Sequence, residues 1–130
     1  MRYALLVTSS PFSGQGAATA ARFAHALLVQ GHELSSVFFL DAAVENGAAC
    51  AVPPQDETDI LPVWIELAEQ HGVELALCVA SSLRYGMLDA QEAERHERLA
   101  ATVHPAFTIA GLGQLVDAGS KADRLITFGG

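Results

Sequence analysis

"RYALLVTSSPFSGQGAATAARFAHALLVQGHELSSVFFL", residues 2–40, combines two kinds of pattern. Its two ends, residues 2–8 and 32–40, are apolar runs of strand length. The alanine-rich middle, residues 15–31, repeats apolar side chains at helical spacing and reaches Gly31, a residue typical of a helix end. Strand, helix and strand in this order predict a parallel pair joined by a crossover helix.

The remainder of the chain continues this alternation. Helical patterns cover residues 57–72, 88–100 and 112–122, and strand-like runs cover residues 73–79, 106–111 and 123–129. Pro62 is expected in the first turn of its helix, where the missing N–H has little effect. The apolar runs are nearly continuous, as in strands that are covered on both faces. We therefore predict an α/β fold: one three-layer α/β/α domain over residues 1–130, with a mostly parallel sheet of about five strands.

Composition narrows the class of protein. Apolar residues make up 51% of the chain and charged residues 17%, which is typical of a globular domain. The net charge of −8, from 7 basic and 15 acidic residues, argues against direct binding to nucleic acid, which requires clustered cations. The apolar stretch Tyr3–Val7 is too short for a signal peptide, and no later run approaches membrane-spanning length. We expect a cytoplasmic protein without membrane contact.

Chemistry is expected at the carboxyl ends of the strands, where open α/β sheets place their ligands. Three loops with notable residues leave that edge, at residues 9–16, 41–50 and 80–86. The loop after the second strand is the longest irregular stretch, residues 41–56, and it has room for a short helix. A site formed by these three loops is the expectation.

Cys78, near the end of the third strand, has two interpretations. Free cysteine is among the most buried residue types, so it is compatible with simple core packing. Its position near the functional edge instead suggests reactivity. Ser81 and Ser82 are suited to capping a helix start, and Arg84 supplies a cation; a helix start and a cation both favour the thiolate. The residues alone leave the two interpretations about equal.

Other candidate sites are weaker. Cys50 is interpreted as an incidental loop residue, and a cysteine pair of this spacing supports neither a disulfide in a reducing compartment nor a zinc site. The loop at residues 9–16 has the small and hydroxyl residues of a phosphate cradle, but it lacks a full nucleotide motif. A flavin would find only Trp64 and Tyr85 as obvious stacking partners. The five histidines show no metal-binding spacing, so no metal and no cofactor is expected.

Five segments resemble the DsrE/TusD proteins, in order and along almost the whole chain. They are "GHELSSVFF" (31–39), "PPQDETDI" (53–60), "CVASSLRYGMLDAQEA" (78–93), "FTIAGLGQLVDA" (107–118) and "ADRLITFGG" (122–130). The resemblance implies a DsrE-like fold and a sulfurtransferase of a sulfur relay. Cys78 stands where the family carries sulfane sulfur as a persulfide, and the residues that follow it, Ser81, Ser82 and Arg84, would form its surroundings.

The same resemblance implies partners. The TusD branch assembles with TusB-like and TusC-like paralogues as a heterohexamer with two copies of each. It takes sulfur from a TusA-like donor and delivers it to TusE for 2-thiolation of the tRNA wobble uridine. The DsrE branch forms a similar complex for sulfur oxidation, with DsrC as its partner. A third possibility, from another class, is a non-catalytic partner-binding subunit in which Cys78 is a core residue.

The chain departs from the family pattern at one notable place. Family members are expected to read "AALRRG" where this chain reads "SSLRYG", so Tyr85 replaces a second arginine. This change removes one cation near the expected thiolate. Val44 and Asn46 keep a family pattern in the preceding loop, whereas Cys50 is an extra residue without an expected sulfur-carrying role.

Overall fold

The computed structural model describes residues 1–130. Its strands are β1 Arg2–Val7, β2 Glu33–Phe39, β3 Glu74–Cys78, β4 Phe107–Ala110 and β5 Arg124–Phe128. Its α-helices are α1 Gly16–Val29, α2 Leu61–His71, α3 Val79–Arg84, α4 Ala90–Arg95 and α5 Leu112–Lys121. A 3₁₀ helix, Asp41–Gly47, follows β2 and is called the 3₁₀ segment below.

All five strands are parallel, in the order β4-β3-β2-β1-β5. The chain moves in one direction from β1 to β4 and then returns across the sheet to β5. Because parallel crossovers are right-handed, this reversal places α5 on the face opposite to α1 and α2. The contacts agree, since α1 packs on α2, β1, β2 and β5, whereas α5 packs on β1 and β2. The predicted three-layer α/β/α fold with five strands is confirmed.

The helix boundaries follow from local chemistry. Gly31 and Gly72 both have a positive φ, at 86° and 67°, as expected of glycines that end α1 and α2. Pro62 lies in the first turn of α2, as predicted. The helix predicted over residues 88–100 is shorter. It is capped by Asp89, whose carboxylate accepts the N–H of Glu92, and it ends at Arg95.

Strand β3 is almost entirely buried, and its end carries the site. After exposed Glu74, every residue of β3 from Leu75 to Cys78 is at most 3% exposed. These side chains join one continuous apolar cluster with β1, β2 and the inner faces of α1 and α2. The carboxyl end of β3 is therefore a rigid base for the residues that follow it.

Candidate functional site

The carboxyl ends of β1, β2 and β3 lie side by side, because these strands are neighbours in the sheet. The three loops predicted to form a site therefore do leave one edge together. The loop after β2 begins with the 3₁₀ segment, which confirms a short helix there. This segment packs against both α3 and β3, the two elements that meet at Cys78.

Cys78 is the last residue of β3 and the N-cap residue of α3. Its neighbour across the sheet is Ala110, the last residue of β4. An N-cap side chain lies near the amides of the second and third helical residues, here Ala80 and Ser81. The thiol makes no capping hydrogen bond, and the residue is only 3% exposed. Cys78 is thus at the predicted edge, but it is covered by protein.

The sequence suggested that Ser81 or Ser82 caps a helix start. Both serines instead lie inside α3, so neither of them is a cap. The helix begins directly after Cys78, which takes the N-cap position itself. Ser81 Oγ accepts a hydrogen bond of 2.9 Å from the backbone N–H of Asp41, the first residue of the 3₁₀ segment. Ser82 is completely buried, and its hydroxyl has no hydrogen-bond partner in the protein. It follows Cys78 by four residues, about one helical turn along the chain.

Arg84 lies at the other end of α3 from Cys78. Arg84 comes six positions after Cys78 in the chain, which corresponds to about 9 Å along a helix axis. The side chain is exposed and takes part in none of the ion pairs of the structure. Tyr85 follows it and is 42% exposed. The expected cation is therefore on the surface beside the site and does not contact the thiol.

A buried polar group that sequence reasoning missed braces this edge. Asn46, only 3% exposed, accepts a 3.1 Å hydrogen bond from the indole N–H of Trp64. Its amide nitrogen donates to the carbonyl oxygens of Ala43 and Ser9, at 2.8 Å and 3.4 Å. One side chain thus links the 3₁₀ segment, α2 and the loop after β1. The sequence signal was the Val44-x-Asn46 family pattern, which carries no information about hydrogen-bond partners.

The flavin and phosphate interpretations find no support in the geometry. Trp64 is completely buried and offers no free ring face. At the start of α1, Gly16 lies so close to the end of β5 that a Cβ added there would be 2.8 Å from the carbonyl oxygen of Gly129. The carbonyl oxygen of Gly129 thus lies beside this helix start, and its partial negative charge would disfavour a phosphate there.

A cavity of about 860 Å³ lies between α1, α2 and the loops at residues 11–15 and 45–60. Its charged lining is Arg22, His25, Glu45, Asp56, Glu57, Asp59 and Glu66. Cys78 does not line it. The cavity is therefore an acidic cleft lined by two of the three predicted loops, those at residues 9–16 and 41–50, and the thiol does not open into it.

The second cysteine, Cys50, is exposed and unpaired, and Cys78 is also a free thiol. No group of three or more histidine, cysteine or acidic side chains is arranged to hold a metal ion. None of the helices has both the length and the apolar character needed to cross a bilayer.

A sequence model of the DsrE/DsrF-like family matches residues 1–128, nearly the whole chain. The chain belongs to this family. The resemblance seen in the five sequence segments is thereby confirmed.

Two similar proteins carry informative names. Sulfurtransferase TusD of Salmonella typhi is 47% identical over 128 residues, which cover 98% of this chain and 100% of that protein. The putative sulfurtransferase DsrE of Allochromatium vinosum is 43% identical over 129 residues, 99% of each chain. Both names agree with the predicted sulfurtransferase class and with a role in sulfur relay.

Solved structures support the fold. The ychN protein from E. coli superposes with a TM-score of 0.79 over 98% of both chains, at 19% identity. The protein MTH1491 from Methanobacterium thermoautotrophicum gives a TM-score of 0.68 over 97% of both chains, at 13% identity. At such low identity these likenesses concern the fold alone.

Proposed function

We propose that this protein is a sulfurtransferase subunit that accepts sulfane sulfur as a persulfide on Cys78 and passes it to a downstream carrier. The observation that carries the proposal is the position of Cys78 at the carboxyl end of an interior strand of the sheet, where it is also the N-cap residue of α3. Membership of the DsrE/DsrF-like family and the names of the similar sulfurtransferases support it.

The reaction requires only thiol chemistry. The thiolate of Cys78 attacks the outer sulfur of a donor persulfide, a new S–S bond forms on Cys78, and the donor cysteine leaves as a thiolate. An acceptor thiolate then attacks the outer sulfur in the same way and regenerates the Cys78 thiolate. Each step exchanges one S–S bond for another, so the relay needs no oxidant, metal or organic cofactor.

The surrounding residues would have different roles. Ser82, four residues after Cys78, has a buried hydroxyl without a partner, and it would donate a hydrogen bond to the outer sulfur of the persulfide. Ser81 would not contact the sulfur; its hydroxyl accepts the backbone N–H of Asp41 and so positions the neighbouring 3₁₀ segment. Arg84, exposed at the far end of α3, would attract an anionic surface of a partner protein.

The proposed partners are those implied by the resemblance to the TusD and DsrE branches of the family. We propose a TusA-like donor, a TusE-like or DsrC-like acceptor, and assembly with TusB-like and TusC-like paralogues, two copies of each, in the cytoplasm. The relay would serve 2-thiolation of the tRNA wobble uridine, without direct binding of tRNA by this acidic chain. Sulfur oxidation is the alternative, because the TusD and DsrE relatives are similarly close, at 47% and 43% identity.

Intact-mass spectrometry tests the carrier directly. The protein would be exposed to a cysteine desulfurase, cysteine and a TusA-like donor, next to the variants Cys78→Ser and Cys50→Ser. We expect a gain of one sulfur that is reversed by a reductant and that disappears only in Cys78→Ser. Loss of the gain in Cys50→Ser alone would place the carrier at the exposed thiol and contradict the proposal.

The burial of Cys78 supports a second candidate, a non-catalytic partner-binding subunit. The residue is 3% exposed and belongs to the apolar core cluster, as an inert cysteine would. The same experiment distinguishes the two functions when the paralogue subunits are included. No sulfur gain on Cys78 in the assembled complex would establish the binding role and exclude the carrier.

A further inference from the structure

Access to Cys78 is controlled by the elements around it, because the thiol is covered in the folded chain. The 3₁₀ segment packs on both α3 and β3, which meet at this residue. The 3₁₀ segment and α3 are therefore the elements next to Cys78 whose movement is a candidate route to the sulfur.

The 3₁₀ segment is held at both of its ends. At its carboxyl end, Asn46 is bonded to Trp64, Ala43 and the loop after β1. At its amino end, the side-chain contact is the hydrogen bond from the Asp41 N–H to Ser81 Oγ, 2.9 Å. Two of the Asn46 hydrogen bonds, those with Trp64 and the loop after β1, reach other elements, whereas the amino end has one such side-chain bond, so it is the end with fewer side-chain attachments.

Asp41 adds a reason for the segment to open at this end. Its φ is +55°, in the left-handed region that non-glycine residues rarely occupy. Such a conformation persists only when neighbouring contacts hold it. The hydrogen bond to Ser81 is the side-chain contact that engages this backbone directly, so its loss would allow Asp41 to relax.

We propose that Ser81 is a positioning residue: it holds the start of the 3₁₀ segment through the Asp41 amide and thereby limits access to Cys78. This inference rests on the proposed function and adds to it a regulation of when the thiol of Cys78 can be reached. The donor or acceptor protein would load or unload sulfur when this hydrogen bond is released.

Thiol-modification kinetics test the inference without any sulfur donor. The full chain with Cys50→Ser leaves Cys78 as the only thiol. We expect Ser81→Ala in this background to accelerate reaction of Cys78 with a chromogenic disulfide by about fivefold, the factor that corresponds to a net hydrogen bond of about 1 kcal/mol. Hydrogen exchange should accelerate at the Asp41 amide and remain slow at the Trp64 end of the segment.

Two variants separate this role from general loosening of α3. Ser81→Thr keeps the hydroxyl and should restore the slow rate. Leu83→Ala, which truncates an exposed side chain of α3, should leave the rate of modification unchanged. An unchanged rate in Ser81→Ala, or an equal acceleration in Leu83→Ala, would overturn the inference. The relay is tested by the gain in mass on Cys78, whereas the role of Ser81 is tested by the rate of thiol modification. The two hypotheses can therefore fail independently, and each failure is seen in a different measurement.

Discussion

Ser81 and Ser82 are adjacent in the sequence, yet their surroundings in the protein differ completely. Ser81 satisfies a backbone N–H from another loop, whereas the hydroxyl of Ser82 is buried without a partner. A buried hydroxyl without a hydrogen bond reduces stability, and such groups are often retained for function. The sequence indicated that both serines lie near Cys78, but their roles became distinct only in the folded chain.

The two serines should therefore show opposite effects on stability. Ser82→Ala removes an unsatisfied buried group and should raise the free energy of unfolding by about 1 kcal/mol, while it slows sulfur loading of Cys78. Ser81→Ala leaves the Asp41 N–H without its partner and should lower the free energy of unfolding by about 1–3 kcal/mol. Urea denaturation measures both changes. A loss of stability in Ser82→Ala would mean that its hydroxyl is bonded after all.

Helix α3 was missed as an element because of its length. Its six residues, Val79–Arg84, are too few to display a helical period, and Val79 had been assigned to the preceding strand. Long periodic segments such as α1 were predicted correctly, together with the glycine that ends them. The helix predicted over residues 88–100 was too long, since the chain leaves the helix after Arg95 and Glu97 takes a positive φ of 54°.

Substitutions of two glycines in open surroundings measure the effect of backbone conformation alone, because an added methyl group would contact nothing at either position. Neither Gly72 nor Gly113 has any atom within 4 Å of an added Cβ. Gly72 has a φ of +67° at the end of α2, so Gly72→Ala should destabilise the protein by about 1 kcal/mol. Gly113 is helical within α5, and Gly113→Ala should stabilise by about 0.5–1 kcal/mol. Thermal unfolding of both variants checks the opposite signs.

At the scale of the whole molecule, the sheet is completed by contacts between distant parts of the chain. β5 returns to pair with β1, and its end packs against the start of α1. Gly16 permits this approach, because an added Cβ would touch Ser9 Oγ and lie 2.8 Å from the Gly129 carbonyl oxygen. The closure of β5 onto β1 thus depends on a residue that the sequence showed only as part of a small-residue loop.

Gly16→Ala should destabilise the whole fold, despite the higher helix propensity of alanine. The added methyl group meets backbone on one side and a buried side chain on the other, so strain of about 1–3 kcal/mol is expected. Urea denaturation with Gly113→Ala as the control measures it, since the same substitution in open space should stabilise. Equal effects of the two substitutions would show that the end of β5 moves away easily.

By itself, the sequence determined the α/β class, the order of the main strands and helices, the family and the position of Cys78 at the functional edge. These properties follow from local periodicity and from motifs that are contiguous in the chain. Only the tertiary structure decided that Cys78 is covered, that Ser81 holds Asp41 and that Asn46 joins three elements. The physical reason is that burial and hydrogen-bond partners depend on residues about 20–40 positions apart, whose contacts exist only after the sheet has formed.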